Sequence, residues 1–132
     1  MGDPETQPVL MRLQSDLVSA CMAAATGNLS GVELTWDART AIGVVMAAGG
    51  YPASYASGLP IEGLDDCADD GARKIFHAGT AQGEQGIVTA GGRVLCATAM
   101  ADTINAARDI AYGQVAKISW PDAFYRLSLI HI

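Results

Sequence analysis

The chain contains 132 residues with a formal net charge of −6, and half of its residues are apolar. This length and apolar fraction fit one ordinary domain with a packed core and argue against disorder. The eight lysines and arginines do not cluster, so the sequence argues against nucleic-acid and anionic-membrane partners, which require concentrated positive charge.

The three cysteines, Cys21, Cys67 and Cys96, are widely spaced and form no pair typical of a metal or redox motif. We interpret them as reduced thiols of a cytosolic protein. No apolar run approaches the roughly 20 residues of a membrane span, and the acidic N-terminus lacks the basic start of a signal peptide. We therefore expect a soluble, cytoplasmic protein without a membrane partner.

An amphipathic helix is predicted behind a tight N-terminal turn. Gly-Asp-Pro at positions 2–4 is typical of a turn, and Thr6 is placed to cap the helix. Apolar residues then recur at intervals of three and four, which predicts one stripe of a helix: Leu10, Leu13, Leu17, Cys21 and Ala24. A fresh cap at Asp16 would split this helix into two pieces, and Gly27-Asn28 ends it.

Residues 27–39 are polar and contain two glycines and a short alternation of Val32, Leu34 and Trp36. This pattern predicts a domain boundary with a short extended segment. We interpret Trp36 as a packing anchor between the two parts, because Arg39 is the only basic residue near it and a nucleobase platform would need more.

The stretch that organises the rest of the chain is TAIGVVMAAGGYP, residues 40–52. It begins almost wholly apolar, includes two β-branched valines and stops at Gly49-Gly50, which favours a strand buried on both faces. A short buried helix has the same composition and remains an alternative. The paired glycines and Pro52 predict a turn, since the spacing of a phosphate-binding loop is absent from this sequence.

An acidic run and a second strand follow this turn. The run contains four aspartates, at positions 65, 66, 69 and 70. It predicts a solvated loop face, because a cation cage would need a defined pattern of oxygen ligands around a glycine. KIFHAGT, residues 74–80, alternates and predicts a strand with Ile75 and His77 on one face. We expect His77 to bond to a backbone group in or near the core, and its use as a general base is the weaker alternative.

Residues 87–89 and 93–99 predict a hairpin around the turn Ala90-Gly91-Gly92. Cys96 lies in the apolar second run, so we expect a packed thiol that is a poor nucleophile. Arg93, beside the turn, can reach an anionic group of a neighbouring domain or solvent, and we favour solvent.

The last regular helix is predicted to begin at a cap, Asp102, and to end before Trp120-Pro121. Its apolar residues have helical spacing and predict a face that covers the sheet: Ile104, Ala107, Ile110, Ala111, Val115 and Ile118. Residues 123–126 then predict a short extended segment.

Several separate stretches, in order, resemble the C-terminal part of the phosphoribosylamine–glycine ligase family, also called glycinamide ribonucleotide synthetases, of the ATP-grasp superfamily. They are GDPETQPVLMRLQSDL, TAIGVVMAAGGYP, IFHAGT, VTAGGRVLCATA and the helix through Trp120 to AFYR. The resemblance covers residues 2 to about 126, whereas the last six residues, LSLIHI, depart from the family pattern.

The resemblance implies an α+β fold in which the helical tail of an ATP-grasp domain precedes a small, mostly antiparallel β domain with one covering helix. In these terms residues 1–28 are the remnant of the ATP-grasp domain and residues 29–39 are a linker. Residues 40–126 are the C-terminal β-rich domain, and residues 127–132 are an unmatched tail.

The activity implied for the whole family is ATP-dependent ligation in purine biosynthesis. Glycine is activated as an acyl phosphate and captured by the amine of 5-phosphoribosylamine, with Mg²⁺ or Mn²⁺ on the phosphates. The family's glutamate and asparagine metal ligands precede the Gly-Asp-Pro-Glu motif, so they lie upstream of Met1 in this numbering. We therefore expect the chain alone to hold no metal, to reach glycine, 5-phosphoribosylamine and ATP only through further domains, and to be inactive.

Within this chain the resemblance places Asp3, Pro4 and Glu5 in the vicinity of the substrates, without a provable catalytic residue. Carboxylates in a rigid proline loop can orient an acceptor amine or hydroxyl through charge-assisted hydrogen bonds. The alternative is structural: Asp3 shapes the turn and Glu5 interacts with the positive end of the helix.

Two rival functions remain open on the sequence. A free-standing β binding module predicts a polar exterior for the N-terminal helix. A part of a larger protein predicts that Leu10, Leu13 and Leu17 include a face without a partner in the chain. An independent hydrolase would use His77 or Cys96.

Overall fold

The structure, a computed structural model, describes residue 2 and residues 4–125. Its helices are α1 (Thr6–Arg12), α2 (Leu17–Ala25) and α3 (Ile104–Val115), with a short 3-10 turn at Leu64–Asp66. Its strands are β1 (Thr40–Ala47), β2 (Arg73–His77), β3 (Thr80–Gly83), β4 (Gly86–Thr89), β5 (Arg93–Ala101) and β6 (Phe124–Tyr125). All strand pairs are antiparallel, so the predicted α+β class is confirmed.

One four-stranded sheet in the order β2-β5-β1-β6 carries the core. The predicted central strand is β1, which pairs with β5 along its whole length, from Thr40 opposite Ala101 to Ala47 opposite Arg93. Strand β6 pairs only with Met46 and Ala47 of β1. The remainder of that edge of β1 has no strand partner among the described residues.

The two faces of β1 are not equally buried. Ile42, Val44 and Met46 are fully buried and face the core with α3, whereas Gly43 and Val45 on the other face are half-buried. The prediction of a strand buried on both faces is therefore wrong for one face. Burying each large apolar side chain stabilises the fold by roughly 1.5–3 kcal/mol, and most of that gain lies on the α3 side.

Helix α1 lies on the face opposite α3, against β1 and β5. Gly43 allows this close approach, because a Cβ there would lie 3.3 Å from Cδ of Pro8 and 3.1 Å from Sγ of Cys96. The thiol of Cys96 is 2% exposed, as predicted for a packed cysteine. The glycine thus positions the N-terminal turn beside the sheet.

The N-terminal helical region is two helices, as the cap at Asp16 allowed. The Asp16 carboxylate accepts hydrogen bonds from the backbone N–H groups of Val18 and Ser19. The predicted cap at Thr6 is wrong, because Thr6 is already helical and its hydroxyl donates to the Gly2 carbonyl. Helix α2 ends at Ala25, and its C-cap Thr26 is followed by Gly27, whose φ of 69° suits a glycine.

Residues 14–37 form an arm that leaves the end of α1 and returns to it. Backbone bonds join Gln14 N–H to the Thr35 carbonyl at 3.0 Å and Asp37 N–H to the Arg12 carbonyl at 2.7 Å. Trp36 is bridged to Leu13 but its side chain is 43% exposed. The large exposed apolar side chains of the arm are Val18, Met22, Leu29, Leu34 and Trp36.

The predicted hairpin of residues 87–89 with 93–99 is wrong. Strand β4 pairs with β3 in a separate two-stranded sheet, whereas β5 pairs with β1 and β2. The physical reason is burial: seven consecutive residues of β5 are buried, so this strand needs a neighbour on each side. Residues 90–92 therefore connect two sheets, and Gly91 there packs closely on Gly79.

Helix α3 begins one residue later than the sequence pattern predicts and ends earlier. Its cap is Thr103 and not Asp102, because Thr103 is extended and its Oγ1 accepts the Ala106 N–H at 3.2 Å. The helix ends at Val115. Ile118 and Trp120 follow in irregular structure and are still buried, which explains why their spacing resembled a longer helix.

The predicted solvated acidic run and the predicted extended segment near the C-terminus are both confirmed. In the acidic run, Asp70 pairs with Arg73 at 2.6 Å and Asp69 with Lys74 at 2.7 Å, all on partly or largely exposed side chains. The extended segment predicted at residues 123–126 is β6 as far as it is described, and Arg126 and the tail 127–132 lie outside the described residues. The described helices include none with the length and apolar character of a membrane span.

Candidate functional site

The N-terminal turn separates two clefts. Pro4 lines the larger cleft, whereas Glu5, the next residue, lines the smaller one. The exposed Glu5 carboxylate accepts the Gly2 N–H at 3.0 Å, and the Glu5 carbonyl accepts the Val9 N–H at 3.2 Å in the first turn of α1. Asp3 lies outside the described residues, and the role of all three residues near substrate stays a prediction.

The larger cleft, which we call the aromatic cleft, has a volume of about 530 Å³. Strand β1 forms its floor, with the 51–52 turn, the start of β5, α3 and β6 around it. Its lining residues are Pro4, Gly43, Val44, Val45, Ala47, Tyr51, Pro52, Arg93, Tyr112, Phe124 and Tyr125. Arg93 is the one charged residue among these described lining residues.

The contacts of three tyrosine rings give the aromatic cleft its shape. The Tyr51 ring lies so close to Gly92 that a Cβ on that glycine would collide with it. The guanidinium carbon of Arg93 lies 5.9 Å from the centroid of the same ring, a cation–π distance. The rings of Tyr112 and Tyr125 are 6.0 Å apart. Backbone contact and ring packing therefore hold these side chains in place.

The smaller cleft, which we call the charged cleft, has a volume of about 290 Å³. Its lining includes Glu5, Arg12, Trp36 and Arg39. Arg39 binds both carboxylate oxygens of Asp37, at 3.0 and 2.7 Å, and Arg12 Nε donates to the Asp37 carbonyl at 3.0 Å. The Arg39 hydrogen bonds lower the pKa of Asp37 to about 2, so this carboxylate is ionised at neutral pH.

A third cleft, of about 280 Å³, has both Cys67 and His77 in its lining. His77 is exposed and its Nδ1 lies 3.0 Å from the Thr80 hydroxyl, so the expected backbone partner near the core is wrong. Cys67 Sγ donates to the Gly63 carbonyl at 3.4 Å. Burial raises the pKa of the Cys67 thiol, which disfavours the nucleophilic thiolate that a hydrolase would require.

The described residues contain no group of three or more His, Cys, Asp or Glu side chains that could hold a metal ion. No step through a metal is derived from the geometry of these residues. ATP and the metal enter only through the family.

Sequence reasoning found one end of the aromatic cleft and missed its walls. The family resemblance predicts that Pro4 lies beside the substrates, and the sequence favours solvent over an anionic group as the partner of Arg93. Tyr51, Tyr112 and Tyr125 come from a turn, a helix and a strand, so no spacing in the sequence connects them. The local signal in the sequence is Gly49-Gly50, directly before Tyr51. Paired glycines predict a turn and give no indication of an aromatic wall.

Comparison with known proteins supports one family. Residues 41–128 match the family described as "Phosphoribosylglycinamide synthetase, C domain". The phosphoribosylamine–glycine ligase of Allochromatium vinosum is 53% identical over 131 residues, covering 99% of this chain and 30% of that protein. The same enzyme of Vibrio cholerae is 55% identical over 126 residues, covering 95% of this chain and 29% of that protein.

A solved structure agrees with the sequence comparison. The crystal structure of phosphoribosylamine–glycine ligase from Thermotoga maritima superposes with a TM-score of 0.77 at 31% identity, covering 96% of this chain and 30% of that chain. The chain therefore spans about 30% of the length of the relatives it matches. Because the family profile covers most of the sequence, the chain belongs to the phosphoribosylglycinamide synthetase C-domain family.

Proposed function

We propose that this chain supplies the C-domain portion of a phosphoribosylamine–glycine ligase and does not run the reaction by itself. The observation that carries the proposal is the 53% identity to such a ligase over 99% of the chain, which equals only 30% of that ligase. The whole reaction joins glycine to 5-phosphoribosylamine with ATP hydrolysis to ADP and phosphate, in cytoplasmic purine biosynthesis.

The roles of the separate parts follow from the family resemblance. In this proposal ATP and Mg²⁺ or Mn²⁺ are bound by other parts of the ligase, because the family's metal ligands precede the Gly-Asp-Pro-Glu motif. Residues 1–28 end the ATP-grasp portion, residues 29–39 link it to the β-rich domain of residues 40–126, and residues 127–132 are a tail. Asp3, Pro4 and Glu5 form a wall beside the substrates.

The arm of residues 14–37 supports this division. Leu10, Leu13 and Leu17, which sequence reasoning expected to be uncovered, are half-buried. The uncovered apolar side chains are instead Val18 and Met22, which are 69% and 61% exposed. Neighbouring apolar groups exposed to water are typical of an interface. This surface fits contact with the remainder of the ligase better than the polar exterior of a free-standing module.

A chimaeric enzyme tests the proposal. In the Allochromatium vinosum ligase, the matching 30% is replaced by this chain, and ADP formation is measured with and without glycine and 5-phosphoribosylamine. We expect ADP formation that needs both substrates, and none from the 132-residue chain alone. The matched control is the natural ligase expressed from the same vector, with ADP formation measured in the same way.

Two results would contradict the proposal. One is a folded, soluble chimaera that forms no ADP while the natural control is active. The other is substrate-dependent ADP formation by the 132-residue chain alone, because that would place the catalytic groups within these residues.

A further inference from the structure

We propose that Arg93 is a positioning residue of the ligase reaction, held in place by Tyr51, and that it orients the Gly-Asp-Pro-Glu turn toward the acceptor amine of 5-phosphoribosylamine. The inference rests on the function proposed above and assigns residues to the same reaction. Three features of the described chain carry it: a bulge in β5, the contact of Tyr51 with Gly92, and the place of Arg93 in the same cleft as the turn.

A β-bulge sets the direction of Arg93. Strands β1 and β5 pair in one register up to Met46, and the register shifts between Met46 and Ala47. Arg93 therefore lies opposite Ala47, whereas an unbroken register would place it opposite Ala48. Opposed residues of antiparallel strands lie on the same face of the sheet. Ala48 belongs to the buried core and Ala47 lines the aromatic cleft, so the bulge directs the side chain of Arg93 to the cleft.

Backbone hydrogen bonds hold the bulge in place. The carbonyl of Gly92 accepts the Ala48 N–H at 2.8 Å, and the carbonyl of Arg93 accepts the Gly79 N–H at 2.9 Å. The next residue, Val94, is fully buried. Bulges are over-represented beside active sites, where they redirect a side chain. A bonded and packed bulge that turns a charged side chain out of the core has the form expected of such a feature.

The ring of Tyr51 restricts the guanidinium of Arg93. The Tyr51 N–H donates to the Ala48 carbonyl at 3.0 Å, which fixes the turn that carries the ring. The ring lies so close to Gly92 that any side chain at that position would collide with it. The guanidinium carbon is 5.9 Å from the ring centroid, within the range of cation–π attraction. Tyr51 therefore limits the positions that the Arg93 side chain can take.

The position of Arg93 suits an effect on the acidic N-terminal turn. Pro4 of the turn and Arg93 line the same cleft, and the sequence of the turn, residues 2–5, contains two carboxylates. A guanidinium in a fixed position attracts such a turn and favours one orientation of it. In the proposed function the turn is a wall beside the substrates. Arg93 thus acts through the turn and needs no direct contact with a substrate.

The test is the steady-state kinetics of the chimaeric ligase described above, with 5-phosphoribosylamine and ATP varied separately. Arg93→Gln should raise the KM for 5-phosphoribosylamine about tenfold, the size of one charged hydrogen bond, and leave the KM for ATP unchanged. Tyr51→Leu should raise the same KM about threefold through loss of the cation–π contact. Tyr51→Phe keeps the ring and should behave as the parent chimaera.

The control variant is Arg108→Gln, on the exposed surface of α3, where Arg108 pairs with its neighbour Asp109. It should leave both KM values unchanged. Thermal unfolding of every variant separates positioning from stability, because a smaller folded fraction lowers kcat and leaves the KM values as they are. If Arg93→Gln does not fold, the comparison of Tyr51→Leu with Tyr51→Phe decides the result.

Several outcomes would overturn the inference while the proposed function stands. In an active parent chimaera they are unchanged kinetics of Arg93→Gln, a change in kcat alone, or equal increases in the KM for ATP and for 5-phosphoribosylamine. A Tyr51→Phe chimaera as impaired as Tyr51→Leu would overturn the role of the ring. A folded parent chimaera without activity would instead overturn the proposed function, and the inference with it.

Discussion

Substitution of Gly43 by alanine should weaken the attachment of α1 to the sheet. A Cβ at this position would lie 3.1 Å from Sγ of Cys96 and 3.3 Å from Cδ of Pro8, both shorter than ordinary van der Waals contact. Extra atoms in a packed site typically cost about 1–3 kcal/mol. Replacing a glycine within a strand would by itself return about 0.5–1 kcal/mol. The net expectation is a loss of about 1 kcal/mol in the free energy of unfolding.

Urea unfolding of the parent chain and the variant measures this loss as a lower transition midpoint with an unchanged slope. Gly113→Ala is the matched control, because that helical glycine of α3 has no atom within 4 Å of a new Cβ, and it should stabilise by about 0.5–1 kcal/mol. Pro8→Ala combined with Gly43→Ala should cost less than the sum of the single changes, since the clash is shared. A Gly43→Ala protein as stable as the parent would refute the close packing of α1.

Three further predictions concern the arm, α3 and the charged cleft. The pKa of Asp37 is lowered from 3.8 to about 2 by Arg39, so its contribution to stability is present above pH 3.8 and is lost as the pH falls through about 2. The difference in urea midpoint between the parent chain and Asp37→Asn should therefore shrink across that interval, and a constant difference would contradict the pairing. Thr103→Ala should lower the free energy of unfolding by about 1 kcal/mol through loss of the α3 cap, as measured by thermal unfolding. Asp102→Ala, the control, should change the stability little. If Asp102→Ala is instead the more destabilising change, Asp102 is the cap, as the sequence predicts. Met22→Glu should reduce self-association of the chain, measured by light scattering, without lowering its unfolding midpoint, because Met22 is 61% exposed. Unchanged self-association would show that this surface of the arm does not mediate contacts between chains.

The parts of the fold that the sequence predicted are those governed by neighbouring residues. An apolar run and a glycine stop predict strand β1. Asp16 predicts the restart of the helix, because its carboxylate accepts hydrogen bonds from two N–H groups within its own turn. The hairpin prediction failed because residues 90–92 carry a turn signal that says nothing about the partners of β5. Those partners are set by burial of nearly the whole strand between β1 and β2, which is a property of the assembled sheet.

The surroundings of the candidate-site residues are even harder to predict from neighbouring residues in the sequence. Pro4 and Glu5 are adjacent, yet the α1 helix and the close approach at Gly43 direct them to different clefts. The sequence places Arg93 beside a glycine turn and favours solvent as its surroundings. Its actual surroundings are defined by Tyr51, more than forty residues earlier, whose ring lies against Gly92. The placement of Arg93 beside the Tyr51 ring is set by the assembled fold and not by any motif, and for that reason the spacing of residues in the sequence does not predict it.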